Sequence, residues 1–315
     1  MPAAPDGRDR RARNIRRPSA TSIRSSVSPL LSIPNVSEGR DLVAVAAIAH
    51  AFDARLLDVH ADPDHHRSVF TLAGEPGRLA PALLAGAREV LARVDLGRHD
   101  GLHPRVGAID VAPIVYLRDA DRGAACAEAL VLADRLGEEL ALPVFLYGLL
   151  AGGRTRAELR RGGPGALADR LAAGALRPDF GPTELHRSGG AVLVAARAPL
   201  VAFNVELAPG ASLQDARAIA AVIREGGCEG LPGVRAIGLW LASRDVAQVS
   251  TNIEDPGAAS PATVVATIRR HAEVAGAELV GLAPERALRD FPDDVALRNP
   301  ATVEQALVRT PRGND

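Results

Sequence analysis

Leu200-Val201-Ala202-Phe203-Asn204-Val205-Glu206-Leu207, with Ser212–Arg224 and Val234–Leu241 behind it, decides the fold. The first run reads as a strand. The second reads as a helix whose N-terminus Ser212 can cap, and the third as another strand. Val246–Ile253 then reads as a strand, Pro261–Ala275 as a helix and Glu278–Leu282 as a strand, which completes βαββαβ. The same order stands upstream. Pro29–Val36 reads as a strand and Glu38–Phe52 as a helix. Arg55–His60 and Ser68–Ala73 are strands joined by the polar turn Ala61–Arg67. Leu79–Val94 is a helix and Ile109–Leu117 a strand, followed by an additional helix at Ala124–Leu140 and strand at Pro143–Tyr147. Two split βαβ units in tandem imply an α+β protein of two ferredoxin-like subdomains, with helices on one face of each sheet. The free faces would pack together or line a cleft, and ligands often lie between such units.

The expected boundaries are 28–196 and 197–307, with tails at 1–27 and 308–315. Residues 1–27 scatter Arg8, Arg10, Arg11, Arg13, Arg16, Arg17 and Arg24 among Ser, Pro and Ala without apolar periodicity, the pattern of a disordered basic tail. No apolar run there suits a secretory signal. Residues 151–190 break the alternation with Gly162-Gly163-Pro164-Gly165, Gly181-Pro182 and Gly189-Gly190. Their place between the two units favours a connector that faces a ligand.

Composition narrows the chemistry. The 315 residues are 47% hydrophobic with a formal net charge of −1, so there is ample core and no electrostatic pull toward nucleic acid or an anionic membrane. Aromatic residues are too few (3%) for a base-stacking platform. All 37 basic residues are arginine. That excludes a Schiff-base lysine and a P-loop lysine. Cys126 and Cys228 stand alone, which gives no support to a cysteine metal site and suits a reducing cytoplasm.

Chemistry-bearing residues collect in a polar island, Gly101-Leu102-His103-Pro104-Arg105-Val106-Gly107-Ala108-Ile109-Asp110, at the mouth of a strand. There His103 can exchange protons near neutrality, and Arg105 can clamp an anion or fix the loop. His60-Ala61-Asp62-Pro63-Asp64-His65-His66 offers metal-ligand types, but Pro63 and the strand alternation favour a polar turn, and no metal is expected. Asn35, Ser37, Glu38 and Arg40 occupy a strand-to-helix junction where Ser37 can cap and Asn35 can meet a substrate carboxylate. Asn204 and Asn252 interrupt apolar strands, as tunnel lining or as bonded core amides.

Several segments, in one order, resemble the glutamate formimidoyltransferases, the formiminotransferase part of folate-dependent histidine degradation. They include Ile33-Pro34-Asn35-Val36-Ser37-Glu38-Gly39-Arg40, Leu56-Leu57-Asp58-Val59, Arg67-Ser68-Val69-Phe70-Thr71 and His103–Asp110. Leu142-Pro143-Val144-Phe145-Leu146-Tyr147-Gly148, Arg177-Pro178-Asp179-Phe180-Gly181-Pro182, Leu200–Val205 and Ala247-Gln248-Val249-Ser250-Thr251-Asn252 complete the set, which spans Ser28 to about Leu307. The resemblance implies transfer of a formimidoyl group from N-formimidoyl-L-glutamate to N5 of tetrahydrofolate, a co-substrate, with release of glutamate. It implies two related subdomains around a folate tunnel, a homodimer as an open possibility, and small molecules as the partners. Relatives in vertebrates continue into a cyclodeaminase domain, so a stand-alone transferase is expected here.

The family's catalytic histidine falls on His103. Its folate-contacting segment falls on Gly181, Pro182, Thr183, Glu184, Leu185, His186, Arg187, Ser188, Gly189 and Gly190. Two positions depart from the family pattern: His60 stands where an acid is usual, and Gly189 where an aromatic is usual. They leave an alternative, a folate-binding protein with lost or altered (formyl) transfer activity.

Overall fold

The computed structural model describes residues 28–309; the tail expected over 1–27 lies outside the described residues, as do residues 310–315 of the tail expected over 308–315, while Val308 still belongs to the last helix. The first half contributes β1 (Leu30–Ser32), β2 (Asn35–Val36), α1 (Leu42–Ala51), β3 (Arg55–Asp62), β4 (Arg67–Gly74) and α2 (Leu79–Arg93). It continues with β5 (Ile109–Val115), α3 (Arg122–Leu140), β6 (Val144–Leu146), α4 (Arg156–Arg160), α5 (Gly163–Ala172) and β7 (Val192–Arg197). The second half holds β8 (Val201–Leu207), α6 (Leu213–Ile223), β9 (Val234–Leu241), β10 (Val246–Ile253) and α7 (Pro261–Ile268). It ends with β11 (Val274–Leu279), β12 (Leu297–Arg298) and α8 (Val303–Val308).

The two halves repeat one topology. β3-β4-β1/β2-β5 run in the order that β9-β10-β8-β11 repeat, each strand antiparallel to its neighbour. The first sheet is extended by β7 and β6, both parallel to the strands beside them, and the second by the short parallel β12. Each half buries its own core: Ile48, Phe70, Leu84 and Leu132 in the first, Phe203, Ile219, Val249 and Val265 in the second. Phe52 meets Phe70 edge-on at 5.2 Å between ring centroids. Between the halves, Leu31, Ala73 and Val115 pack on Leu282, Val303 and Ala306, so the open faces of the sheets are joined by an apolar seam.

Local departures have local causes. Pro29–Val36 is two short strands, because Pro34 offers a carbonyl to Phe70 N (3.0 Å) but has no N–H for the other side. The helix expected from Glu38 begins at Leu42. Its cap is Asp41, whose carboxylate accepts from Val43 N and Ala44 N at 2.9 and 3.0 Å. Ser37 is therefore not a cap; its hydroxyl donates to Gly107 O at 2.8 Å and ties this junction to the His103 loop. Ser212 does cap α6, in a reciprocal box with Asp215.

The helix expected over Pro261–Ala275 stops at Ile268. Val274–Leu279 is claimed by the ladder with β8, across a bulge between Val274 and Gly276. Within 151–190 the chain forms α4 and α5 rather than an irregular connector. Their Leu159 and Leu167 cover Val111, Phe145, Leu193 and Ala195 on the sheet face opposite α1–α3.

Candidate active site

The residues before β5 form a loop pinned on all sides. Arg105 donates to Gly101 O and His99 O at 2.9 and 2.6 Å, so its guanidinium is occupied by backbone carbonyls of its own loop. His99 stacks on His66 with ring centroids 4.2 Å apart, and its Nε2 lies 2.8 Å from His66 O. Buried Asp110 accepts from Val106 N at 2.8 Å. Gly107 lies so close to the start of β7 that a Cβ there would stand 1.8 Å from Ala191 O, which only glycine permits. These ties fix the loop and present His103 to the space between the halves.

That space is ringed by cations. Arg67 arrives from β4, and Arg156 and Arg160 from successive turns of α4. Arg160 is paired with Asp110. Arg156 reaches across the halves to Glu254 at 3.1 Å while lying over the Tyr147 ring. Burial, reinforced by Arg160, lowers Arg67 to about 10, with Asp62 and Asp110 offsetting part of the effect. Burial also pushes His103 well below the usual imidazole range, and the charges of Arg67 and Arg160 push the same way. Both effects favour the neutral imidazole. Beside it, at 6.3 Å between ring centroids, stands His65, whose Nδ1 lies 2.6 Å from Asp62 Oδ2. Hydrogen bonds and the charge of His65 hold the Asp62 carboxyl well below the ordinary range despite its burial.

His103 and the three arginines open onto a cavity of about 530 Å³ shared by both halves. Its other wall is the exposed face of the second sheet, with Ala202, Asn204, Ser250 and Asn252. A smaller annex on the same side as His103 takes in Asn35, Thr71 and Arg197.

The structure thus brings together His103, Asn35, Asn204 and Asn252, and leaves other expected residues outside. Arg105 does not line the shared cavity; it braces the loop that does. None of Gly181–Gly190 lines it either. That segment is a tight turn, with His186 N and O both bonded to Gly190 and His186 Nδ1 accepting from Gly189 N at 2.9 Å. Gly189 O accepts from Ala108 N and Ser188 O from Leu96 N, so the turn props the His103 loop from behind. A Cβ at Gly189 would stand 2.4 Å from the Leu91 Cδ2 methyl, so a larger residue there requires the Leu91 side chain to shift.

His60 and Asp62 stand near Glu278 of the second half, with ligand-type atoms within 4.8 Å of one another. Both carboxylates there are engaged: Asp62 by His65 and by the Asp64 and His65 amides, Glu278 by Arg298. Arg67, Arg156 and Arg160 were not singled out in the sequence. The one available signal was an Arg-rich helix, Arg154-Thr155-Arg156-Ala157-Glu158-Leu159-Arg160, inside the segment read as irregular.

Known proteins are similar to this chain in sequence. The family model for the N-terminal subdomain of the formiminotransferase domain matches residues 30–197, and that for the formiminotransferase domain matches 202–298. The chain belongs to the formiminotransferase family. Glutamate formimidoyltransferase of Streptococcus pyogenes serotype M1 is 34% identical over 270 residues, covering 82% of this chain and 90% of that protein. The Thermoplasma acidophilum enzyme of the same name is 33% identical over 274 residues, covering 82% and 89%. Rat formimidoyltransferase-cyclodeaminase is 38% identical over 277 residues, covering 82% of this chain and 50% of that protein. The chain thus spans about half the length of the cyclodeaminase-bearing relatives it matches. Among the described residues, no helix of this formiminotransferase-family chain is long and apolar enough to cross a membrane.

Proposed function

We propose that this chain transfers a formimidoyl group from N-formimidoyl-L-glutamate to N5 of tetrahydrofolate, releasing glutamate, with His103 as general acid and base. The observation that carries the reading is an imidazole, its basicity lowered by burial and neighbouring charge, that shares a cavity bounded by both halves with three arginines. The donor has two carboxylates and the folate tail has more, and Arg67, Arg156 and Arg160 are the groups that can meet them.

The steps follow from the charges. The N5 lone pair attacks the amidinium carbon, forming a C–N bond while the C=N electrons move onto the terminal nitrogen. N5 now carries a positive charge, and neutral His103 takes its proton. The imidazolium so formed, sitting among arginines, is a strong acid and passes the proton to the glutamate nitrogen. The bond from carbon to that nitrogen breaks, the C=N bond re-forms, and glutamate leaves as a neutral amine rather than an amide anion. Such proton transfer is worth roughly 10²–10⁴ in rate. Seating the substrate carboxylates against the arginines relieves the repulsion on His103, so its basicity rises when the site is full. The turn Gly181–Gly190 serves this site through the loop it props.

The test is mass-spectrometric detection of products from a donor panel with tetrahydrofolate. Expected is 5-formimidoyltetrahydrofolate formed one-to-one with glutamate from N-formimidoyl-L-glutamate. Turnover of N-formyl-L-glutamate alone, or folate binding without any transfer, would replace this reading.

A further inference from the structure

One wall of the cavity holds polar groups that the transfer chemistry does not use. β8 and β10 pair antiparallel with Asn204 directly opposite Ser250 and Ala202 opposite Asn252, so these four side chains share the face turned toward the first half. Phe203, Val205 and Val249 point the other way, into the core of the second half. Asn204 is 2% exposed, and its Nδ2 has no hydrogen-bond partner among the described residues. Two positions along β10 on the same face, Gln248 is fully buried with both amide ends unpartnered. Buried amides are nearly always bonded, so an orphan donor lining a cavity indicates a ligand that supplies the acceptor.

The choice of ligand follows from charge and shape. The amidine donor is recognised through its carboxylates, and Arg67, Arg156 and Arg160 beside His103, on the opposite wall, suit it. On the second sheet's wall Asn204, Ser250 and Asn252 are themselves uncharged and offer both donors and acceptors, with Arg235 directly opposite Asn252 at one end and Glu278, held by Arg298, opposite Asn204 on the other strand. No Phe, Tyr or Trp lines the cavity, so a flat heterocycle there must be oriented by its edge rather than by stacking.

We infer that Asn204, flanked by Ser250 and Asn252, is the subsite for the pyrimidinone edge of the reduced pterin, with Asn204 Nδ2 donating to its carbonyl or ring nitrogen. The inference rests on the folate reading above. It sets the ring across the cavity, its N5 side toward His103 and its tail toward the end lined by Arg161, Arg224 and Arg235.

The test uses fragments of the co-substrate as probes: 6-methyltetrahydropterin, which lacks the tail, and p-aminobenzoylglutamate, which lacks the pterin. Calorimetry and competition kinetics are compared for the wild type and Asn204→Ala. Loss of one hydrogen bond is expected to weaken 6-methyltetrahydropterin and raise KM for tetrahydrofolate by about tenfold. Affinity for p-aminobenzoylglutamate and KM for the donor should stay within about twofold. Because Nδ2 is unpartnered in the free protein, the variant should keep its thermal midpoint. Asn204→Asp, of the same size but without the donor, gives the same reading where the alanine variant does not fold. Equal weakening of both fragments, a change confined to the donor, or unchanged pterin affinity would overturn the subsite while leaving the transferase reading intact. A wild-type protein that neither binds a folate nor transfers would overturn both.

Discussion

A histidine that faces three arginines has little reason to hold a proton, and in the proposed transfer that is the useful state for a group that accepts one from N5. Arg67 is the strongest of the charges pushing His103 down. Replacing it, as Arg67→Met, should raise the His103 pKa and move the acid limb of kcat/KM to higher pH. KM for the donor should rise roughly tenfold or more for the lost charged contact. A pH–rate profile checks both, and an acid limb that stays in place would show that Arg67 acts on binding alone. His103 was legible in the sequence because a proton-transfer residue, a rigid proline and a permanent cation stand side by side. The arginines that set its charge state were not. They come from β4 and α4, far apart in a chain with 37 arginines, and only folding separates them from the rest.

Among the elements, the loop before β5 decides how firmly His103 is held. The sequence leaves Arg105 between anion clamp and loop brace, and its bonds to Gly101 O and His99 O are those of a brace. Arg105→Met should therefore lower kcat with little change in KM for the donor, and speed hydrogen exchange across 99–106; a selective rise in donor KM would return it to the binding role. The order of strands and helices was readable wherever alternation or a cap marked it, as at Ser212. β7 was missed because Val192-Leu193-Val194-Ala195-Ala196 is buried on both faces between parallel strands, so it shows no alternation. α4 and α5 were missed because the glycines and prolines around them read as turns. The departure at Gly189 could not be judged from sequence either, since only packing reveals that the end of the Leu91 side chain lies against that position.

At the scale of the molecule, the cavity exists because the two sheets turn their open faces to each other across the seam at Leu31, Leu282 and Val303. Leu282→Ala should cost about 2–4 kcal/mol and weaken substrate affinity while leaving the circular dichroism of both halves in place, which denaturant titration and calorimetry would show. The turn of the β9–β10 hairpin adds a polar tie, Ser243 Oγ to Asp64 Oδ2 at 2.5 Å, beside the Asp62–His65 pair. Asp62 stays ionised in the folded protein below the pH at which an unfolded aspartate takes up a proton. Its contribution to stability is therefore complete above about pH 4 and is lost as pH falls further. Asp62→Asn should be less stable than the wild type at pH 7, with the gap closing in acid; a constant gap from pH 7 to pH 2 would contradict this.

In the proposed reaction one imidazole carries the proton from the incoming to the outgoing nitrogen. Single-turnover quenched-flow rates for the wild type and His103→Gln, with tetrahydrofolate affinity measured by calorimetry on both, test it most directly. The account predicts a fall of roughly 10²–10⁴ in the transfer rate with affinity changed by no more than about twofold. A variant that binds folate and transfers at the wild-type rate would contradict it.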